Sequence, residues 1–434
     1  MYKPSLYVVI PHSNKFLQSE KVFPSLGPLA IKSFLEQNGY HVFVEDEFND
    51  SKIQDIADYD FIGFSATTAQ WRASGREIAK QLKEKYSDKK IVVGGATATY
   101  HYDELSKDKN IDFIVMSAGE KSIKDVLNYK IKDRIINRGN LNDREFNDLP
   151  LPWRSFDYLK KYQYHIKDRR ATSAVIGLYC PYGCKYCESR RSGLTLSNEK
   201  RLTDELKQIK SINFDAVMFY DDVLVINKER TELLCKVIKP MDMYFRGFGH
   251  ASTVHKEDFV PYLKMLHDSG CQELCFGAES GDQRILNIVG KGNKVDWNYR
   301  TVENLLKCGI TAIAFLMIGL PGENYETIAA TEKFIETFYG HPNFKFDYVA
   351  YYPFEKTYIR EHSEQFDIKI HHDLLEDSFG AYKQRQGKTE YMVSTSALSR
   401  EDIEREHKRI INRFSKNFKG FNDANTNLVS EYCP

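Results

Sequence analysis

The feature that most limits how this chain can fold is an alternation, repeated along most of its length, between short β-branched runs and stretches with a helical apolar period. In residues 1–132 the runs Leu6 to Ile10, His41 to Glu45, Phe61 to Ser65, Ile91 to Gly94 and Ile111 to Met116 read as strands. Leu29 to Asn38 and Gln70 to Tyr86 read as the clearest helices between them. Strands joined by helices long enough to cross over form parallel sheets, so an α/β, doubly wound domain is expected, with any ligand at the carboxyl ends of its strands. The loops at those ends, Pro24-Ser25-Leu26-Gly27-Pro28, Ser65-Ala66-Thr67-Thr68 and Gly94-Gly95-Ala96-Thr97, are built mostly of small and hydroxyl residues. Such loops let a large planar or phosphate-bearing ligand approach the backbone. Tight βα turns also favour Gly and Thr for their own reasons, so composition alone leaves the two readings level.

The alternation resumes after a polar stretch, Lys130 to Arg170, that contains Leu149-Pro150-Leu151-Pro152-Trp153. Strands are expected at Thr172 to Leu178, Ala216 to Tyr220, Met243 to Phe248, Glu273 to Gly277, Thr311 to Ile318 and Phe346 to Tyr351. Helices are expected at Glu199 to Ile212, Lys228 to Ile238, Lys256 to His267, Val295 to Cys308 and Glu326 to Phe338. Six βα units suggest a partial, TIM-like (β/α)6 barrel, whose chemistry sits at the C-terminal mouth of its strands. The expected organisation is a domain over 1–132, a linker over 133–170, a barrel over 171–352 and a mixed C-terminal segment over 353–434 that ends in a helix from Arg400 to Asn417.

Lys plus Arg equals Asp plus Glu, 61 each, so no overall field draws the chain to nucleic acid or anionic membrane. Apolar runs such as Ala312 to Gly319 fall far short of the ~20 residues a membrane span needs. Met1 to Phe16 lacks the pattern of a signal peptide, and a cytoplasmic location is expected. The cations Arg405, Lys408, Arg409, Arg413, Lys416 and Lys419 are interleaved with Glu401, Asp402, Glu404 and Glu406, which reads as a solvated helix and not as a nucleic-acid face. Tyr348, Tyr351, Tyr352 and Phe354 suit a substrate cavity or a core equally well.

None of the eight cysteines precedes Cys180, and three then crowd together as Cys180, Cys184 and Cys187. In a reducing compartment clustered thiols point to metal or redox chemistry. Pro181 and Gly183 favour a turning loop, placed directly after the first barrel strand, on which three sulfurs can converge. Three thiolates satisfy three irons of a [4Fe-4S] cube and leave one iron open, whereas a structural zinc would need a fourth ligand such as His165 or His250. Cys235, Cys271, Cys275, Cys308 and Cys433 lie mostly in strands and helices and read as buried thiols.

The Cys-x3-Cys-x2-Cys loop, with Tyr186 before its last cysteine, resembles the signature of the radical S-adenosylmethionine superfamily. That resemblance implies cluster ligation by Cys180, Cys184 and Cys187, with Tyr186 beside the adenine of S-adenosylmethionine. Phe276-Gly277-Ala278-Glu279-Ser280-Gly281 is similar to the family's fourth-strand motif, which implies contacts from Glu279 and Ser280 to that ligand. Met317-Ile318-Gly319-Leu320-Pro321-Gly322-Glu323 is similar to the fifth-strand motif, with Gly319 and Pro321 backing the adenine. The family's Gly-Gly-Glu after the second strand is replaced by Tyr220-Asp221-Asp222, which leaves Asp222 as the carboxylate for the ligand's ammonium.

The first domain resembles the cobalamin-binding domain that precedes the barrel in one class of the superfamily. Phe23-Pro24-Ser25-Leu26-Gly27-Pro28-Leu29, Val93-Gly94-Gly95-Ala96 and Leu149-Pro150-Leu151-Pro152 carry the likeness, and the family's Gly-Glu-Gly-Glu is reduced to Ser117-Ala118-Gly119-Glu120. The resemblance implies cobalamin contacts from Leu26, Gly27, Ser65, Thr67, Gly94 and Gly95. The Asp-x-His-x-x-Gly that supplies a cobalt ligand elsewhere is missing, and His12 lacks its context. Without N-terminal cysteines, a methylthiotransferase is excluded.

Together these features imply a cobalamin-dependent radical S-adenosylmethionine enzyme that methylates an unactivated carbon of a small-molecule or peptide substrate, through a 5'-deoxyadenosyl radical and methylcobalamin. Its reductant would be an electron donor such as flavodoxin or ferredoxin. Cyclisation or rearrangement without methyl transfer is the second reading, and a non-catalytic cofactor-binding sensor the third.

Overall fold

The computed structural model describes residues 2–12, 23–46, 56–162, 164–371 and 389–418. Lys419 and Cys433 lie outside the described residues. The chain divides into two compact units, Met1–Tyr162 and Gln163–Pro434.

The first unit runs β1 (Leu6–Ile10), α1 (Leu26–Gln37), β2 (Val42–Asp46), β3 (Phe61–Ser65), α2 (Arg76–Lys85), β4 (Lys90–Gly94), β5 (Phe113–Met116) and β6 (Ile135–Asn137). All pairings are parallel, in the order β2-β1-β3-β4-β5-β6. The chain moves outward from β1 to β2, then returns to the other side of β1 for β3, so the topological switch lies between β1 and β3. β1 is apolar at every position because both faces of the sheet are covered: Tyr7 and Val9 enter one core, Leu6, Val8 and Ile10 the other.

Two features here were not foreseen. The stretch Gln70 to Tyr86, expected as one helix, begins as a short turn at Thr68–Gln70, widens into a π-helical turn over Trp71–Gly75 and only then becomes α2. Trp71 is fully buried against Phe64, and a side chain on Gly75 would press on its ring. β6, three residues among charges in the expected linker, carries too little pattern to be read as a strand.

The second unit runs β7 (His165–Ile166), β8 (Arg169–Ala174), α3 (Glu199–Ser211), β9 (Ala216–Phe219), α4 (Lys228–Ile238), β10 (Tyr244–Gly249), α5 (Val260–Asp268), β11 (Cys271–Glu279), α6 (Gln283–Ile288), α7 (Val295–Lys307), β12 (Thr311–Ile318), α8 (Tyr325–Phe338), β13 (Phe344–Ala350) and α9 (Arg400–Arg413). Six parallel strands follow in chain order from β8 to β13, and β7 adds an antiparallel edge on β8. Each βα unit therefore steps one strand in the same direction, which curls the sheet into a partial barrel with all loops that follow strands at one mouth.

On the outer face of β13, Phe344 meets Phe334 and Phe338 of α8, and Tyr348 packs against His407 of α9. Tyr348 thus belongs to core packing. α9 is latched there by His407, whose Nε2 donates to the Tyr348 carbonyl at 2.7 Å while its Nδ1 accepts from the Tyr391 hydroxyl at 2.9 Å. Its basic face is spent on ion pairs: Arg409 and Arg413 both clamp Glu332 of α8, and Arg413 also takes Glu336. The helix stops at Arg413, four residues before the expected end, and Asn417 instead caps the Phe344 and His341 carbonyls.

Candidate functional site

The loop after β8 is closed on itself. Ser192 N donates to the Cys180 carbonyl at 3.1 Å, Ser192 Oγ accepts from Cys180 N at 3.0 Å, and Arg191 N donates to the Tyr182 carbonyl at 2.8 Å. Tyr179 enters the loop with φ 71°, a left-handed conformation that turns the chain sharply out of the strand. Lys185 N donates to the Val289 carbonyl and Ile359 N donates to the Lys185 carbonyl, so the loop is held from both sides.

Within this loop Cys180, Cys184 and Cys187 each lie in the electrostatic field of the other two. Burial raises the Cys180 and Cys187 thiols above their ordinary value, and the neighbouring sulfurs raise them further. Among the described residues no three His, Cys, Asp or Glu side chains close around a point as they would around a single ion. His165 is exposed on β7, and His250 is engaged with Ser252 Oγ at 2.7 Å and stacked on Tyr182 at 3.7 Å. Three mutually coupled thiols without a fourth ligand fit a cluster larger than one metal, whose positive charge offsets the cost of ionising them.

The end of β11 reaches the same place under strain. A register shift falls between Gly277 and Glu279, and buried Glu279 sits at φ 60°. A non-glycine residue forced left-handed at a strand end is the kind of stored strain that marks working sites. Glu279 Oε1 accepts from the Tyr186 hydroxyl at 2.8 Å and from Lys291 Nζ at 2.7 Å, and Lys291 Nζ lies 3.3 Å from the Tyr186 hydroxyl. Tyr186 and Glu279 are thus brought together, with the Tyr186 hydroxyl tied to the carboxylate.

The Asp221-Asp222 pair divides its labour. Asp221 is fully buried, accepts from Ile176 N at 3.3 Å beside Arg230, and is pushed up to about 8 by burial. Arg230 in turn donates to the Ser197 and Ile176 carbonyls at 2.6 and 2.8 Å. Asp222 is half-buried, raised by desolvation alone, and within the field of Cys180 and Cys187. Among the described residues no donor or cation reaches its carboxylate. A desolvated carboxylate with nothing to hold, beside three thiols, fits a ligand ammonium.

Ser280 and Gly319 have other company. The Ser280 hydroxyl lies 3.2 Å from Thr331 Oγ1 and accepts from Asp282 N at 3.2 Å. Gly319 has φ 89° and presents its bare α-carbon to Val393 and Ile403, and Pro321 is buried beside it. The loop is pinned by Glu323, which accepts from Gly319 N at 2.6 Å and Leu320 N at 3.1 Å and is pushed up to about 8 by burial.

Lys291 is the residue that sequence reasoning missed. It lies twelve positions beyond Glu279, after a helix, and returns to the site because Gly290 and Gly292 on either side of it take φ 66° and 73°. A side chain on Gly290 would press on Lys185 and the Gly183 carbonyl, so this turn lies directly against the thiol loop. The Gly-Lys-Gly triplet was the only signal.

In the first unit Leu26, Gly27, Ser65, Thr67, Gly94 and Gly95 all lie at the carboxyl edge of the sheet, around the switch point. Gly27 faces Ser65 Oγ, and Gly95, at φ 84°, crosses so close to Ala66 that any side chain would strike its backbone. Gly27, Thr67 and Gly95 are exposed, while Leu26, Ser65 and Gly94 are half-buried. The Thr67 hydroxyl caps Thr68–Gln70, and Thr97 Oγ1 is buried with no partner among the described residues. A shelf of bare backbone with an unsatisfied hydroxyl beneath suits a broad, flat, amide-rimmed ligand such as cobalamin.

Residues 175–335 match the radical SAM superfamily, and residues 17–127 match the B12 binding domain. An uncharacterized methyltransferase from Pyrococcus horikoshii is 25% identical over 345 residues, 72% of each chain. The bacteriochlorophyllide d C-8(2)-methyltransferase of Chlorobaculum tepidum is 22% identical over 329 residues, covering 71% of this chain and 70% of that protein. Among solved structures, the radical S-adenosylmethionine methyltransferase TsrM from Kitasatospora setae, with cobalamin and a [4Fe-4S] cluster bound, superposes with a TM-score of 0.67 at 14% identity, over 85% of this chain and 77% of its own. OxsB, a cobalamin-dependent S-adenosylmethionine radical enzyme, gives 0.64 at 17% identity, over 84% of this chain and 56% of its own. The radical SAM domain implies a [4Fe-4S] cluster and S-adenosylmethionine, and the B12-binding domain implies cobalamin. This chain is a radical SAM enzyme that carries a B12-binding domain.

Proposed function

We propose that the enzyme transfers a methyl group from S-adenosylmethionine to an unactivated carbon of a small-molecule or peptide substrate. The observation that carries this reading is the union in one chain of the bare glycine shelf of the first unit with a thiol loop flanked by an unpartnered Asp222. The names of the relatives support it, since two of them are methyltransferases. When bound, the cluster supplies the electron that cleaves S-adenosylmethionine, and cobalamin supplies methyl-carrying capacity.

The residues of this chain bind and position. Cys180, Cys184 and Cys187 would hold the cluster, and Asp222 would take the ammonium of S-adenosylmethionine. Lys291, a buried cation in the field of Cys184 and Cys187, would meet its carboxylate. Glu279 and Tyr186 would close over the remaining polar groups, while Gly319 and Pro321 form an apolar backing that excludes water. Leu26, Gly27, Ser65, Thr67, Gly94 and Gly95 would line the corrin. An electron carrier such as flavodoxin or ferredoxin would reduce the cluster. All cysteines among the described residues are free thiols, which supports a reducing, cytoplasmic setting.

The test begins with protein reconstituted anaerobically with iron, sulfide and hydroxocobalamin, then desalted. Retained cobalamin beside the cluster's absorption, followed by cobalamin-dependent release of 5'-deoxyadenosine and S-adenosylhomocysteine together, is the expected result. A cluster without retained cobalamin refutes methyl transfer. A relative named anaerobic magnesium-protoporphyrin IX monomethyl ester cyclase, from Synechocystis, 25% identical over 328 residues, favours ring closure as the second reading. Deoxyadenosine without S-adenosylhomocysteine would select it.

A further inference from the structure

His250 directly follows β10 at the mouth of the barrel and is 5% exposed, yet the proposed chemistry gives it no part. Its ring lies flat on that of Tyr182, with centroids 3.7 Å apart and planes 11° from parallel, and Tyr182 stands between Cys180 and Cys184 on the thiol loop. Ser252 completes the join. Its backbone N–H can only donate, so the His250 Nδ1 that it meets at 3.3 Å accepts. The Ser252 hydroxyl, 2.7 Å from the same nitrogen, therefore donates to it as well, and is left to accept from the Tyr182 hydroxyl at 3.5 Å. With Nδ1 an acceptor, the imidazole is neutral and its proton sits on Nε2. Nε2 is buried and meets no acceptor in hydrogen-bond geometry among the described residues, while the Lys291 carbonyl is the backbone acceptor in the field of the ring.

We infer that His250 is a positioning residue, a wedge between the thiol loop and the Gly290-Lys291-Gly292 turn that sets where the Lys291 ammonium stands, and through it how tightly the site holds the carboxylate of S-adenosylmethionine. The inference rests on the proposed function, in which Lys291 meets that carboxylate. A turn with left-handed glycines at φ 66° and 73° on either side of the lysine has little stiffness of its own. Glu279 Oε1 and the Tyr186 hydroxyl hold the far end of the Lys291 side chain, and the Lys291 N–H, which donates to the Leu286 carbonyl at 3.1 Å, holds the near end from one side. The imidazole supplies the other side, with its N–H toward the Lys291 carbonyl and its flat face against Tyr182. Because Ser252 ties both rings, the stack cannot slide apart and leaves the turn no slack on the loop side. A displacement of about 1 Å in a group that orients a substrate is enough to cost orders of magnitude in rate, so a wedge of this kind has a large lever.

The experiment is a calorimetric titration of the reconstituted holoenzyme with S-adenosylmethionine, with iron content and cluster absorption measured on the same samples. His250→Phe keeps a flat ring on Tyr182 but removes both nitrogens. His250→Gln offers an amide oxygen to Ser252 and an amide N–H to the Lys291 carbonyl, and Lys291→Met removes the ammonium itself. Expected is binding weakened about tenfold in His250→Phe and restored to within about twofold of the wild type in His250→Gln, with iron and absorption unchanged in both. In a Lys291→Met background His250→Phe should change nothing further, since no ammonium is left to position. Wild-type affinity in His250→Phe overturns the inference, as does a Gln variant as weak as the Phe variant. An undiminished tenfold loss on top of Lys291→Met also overturns it, because His250 would then act without Lys291, and so does a loss of iron that matches the loss of affinity, which would make the ring a mere support of the thiol loop. A wild-type protein that holds its cluster but binds no S-adenosylmethionine refutes the proposed function before any variant is made, and this inference falls with it.

Discussion

Lowering the pH should unlatch α9 through one imidazole. His407 is 3% exposed, and burial holds its pKa down to about 4, against an ordinary value of 6.5. Its partners dictate a neutral ring, because the Tyr348 carbonyl can only accept and so Nδ1 is left to receive the Tyr391 hydroxyl. The folded state stays neutral while the unlatched state gains a proton below 6.5, so this stability is complete above that value and is lost as pH falls toward 4. Each pH unit within the window is worth about 1.4 kcal/mol, which sets a ceiling of about 3 kcal/mol. Between about pH 7.5 and 5.5 the loss is about 1.3 kcal/mol, roughly a tenfold rise in the open population. Native-state hydrogen exchange of Arg400–Arg413, normalised for the intrinsic effect of pH, reads this directly. His407→Gln keeps a donor for the carbonyl and should make protection flat over the same range. A wild-type helix whose normalised protection does not change, or a His407 resonance that titrates near its ordinary value in the folded protein, would falsify the latch.

The remaining predictions concern the site and its supports. Asp222→Asn removes the charge but not the shape, and should weaken S-adenosylmethionine binding by about ten- to a hundredfold with iron content unchanged; calorimetry on the reconstituted protein checks both. Cys184→Ala should abolish the cluster band and iron retention while the circular dichroism of the apo-protein stays that of the wild type. Gly281→Ala drives a methyl group into the Ala330 and Thr331 backbone of α8 and should cost about 1–3 kcal/mol, seen as a lower urea midpoint. Glu332→Ala removes the carboxylate that ties both Arg409 and Arg413 to α8, leaving them Glu406 and Glu336, and should loosen α9 by about 1 kcal/mol, read by the same exchange experiment.

Long strands of the second unit such as Thr311–Ile318 were legible because they are mostly buried and carry a run of apolar residues that polar helices interrupt. The thiol loop was legible because its residues are contiguous. Lys291 was not, since it reaches Glu279 only through two left-handed glycines around it, and a lysine between glycines also describes any surface turn. Asp221 and Asp222 look alike in sequence, and only the third dimension gives one to Arg230 and Ile176 and the other to the open site. Tyr348 stayed ambiguous because an aromatic residue on a strand has two faces to choose from, and the choice was made by a histidine almost sixty residues away.

The π-helical turn at Trp71–Gly75 carries one residue more than an α-helical turn of the same rise. The helix on its far side, with Ile78, Ala79 and Leu82 in the core, is anchored as firmly as the Thr67 cap on its near side. The surplus residue therefore shifts neither end; it goes into the girth of the helix, and swings Trp71 inward beside the very loop assigned to the corrin. Removing one residue from this turn would let the coil close into regular α-helix only by turning Trp71 away from its edge contact with Phe64 in the core. The bulge marks a place where the first unit keeps a large aromatic core contact at the expense of helical regularity.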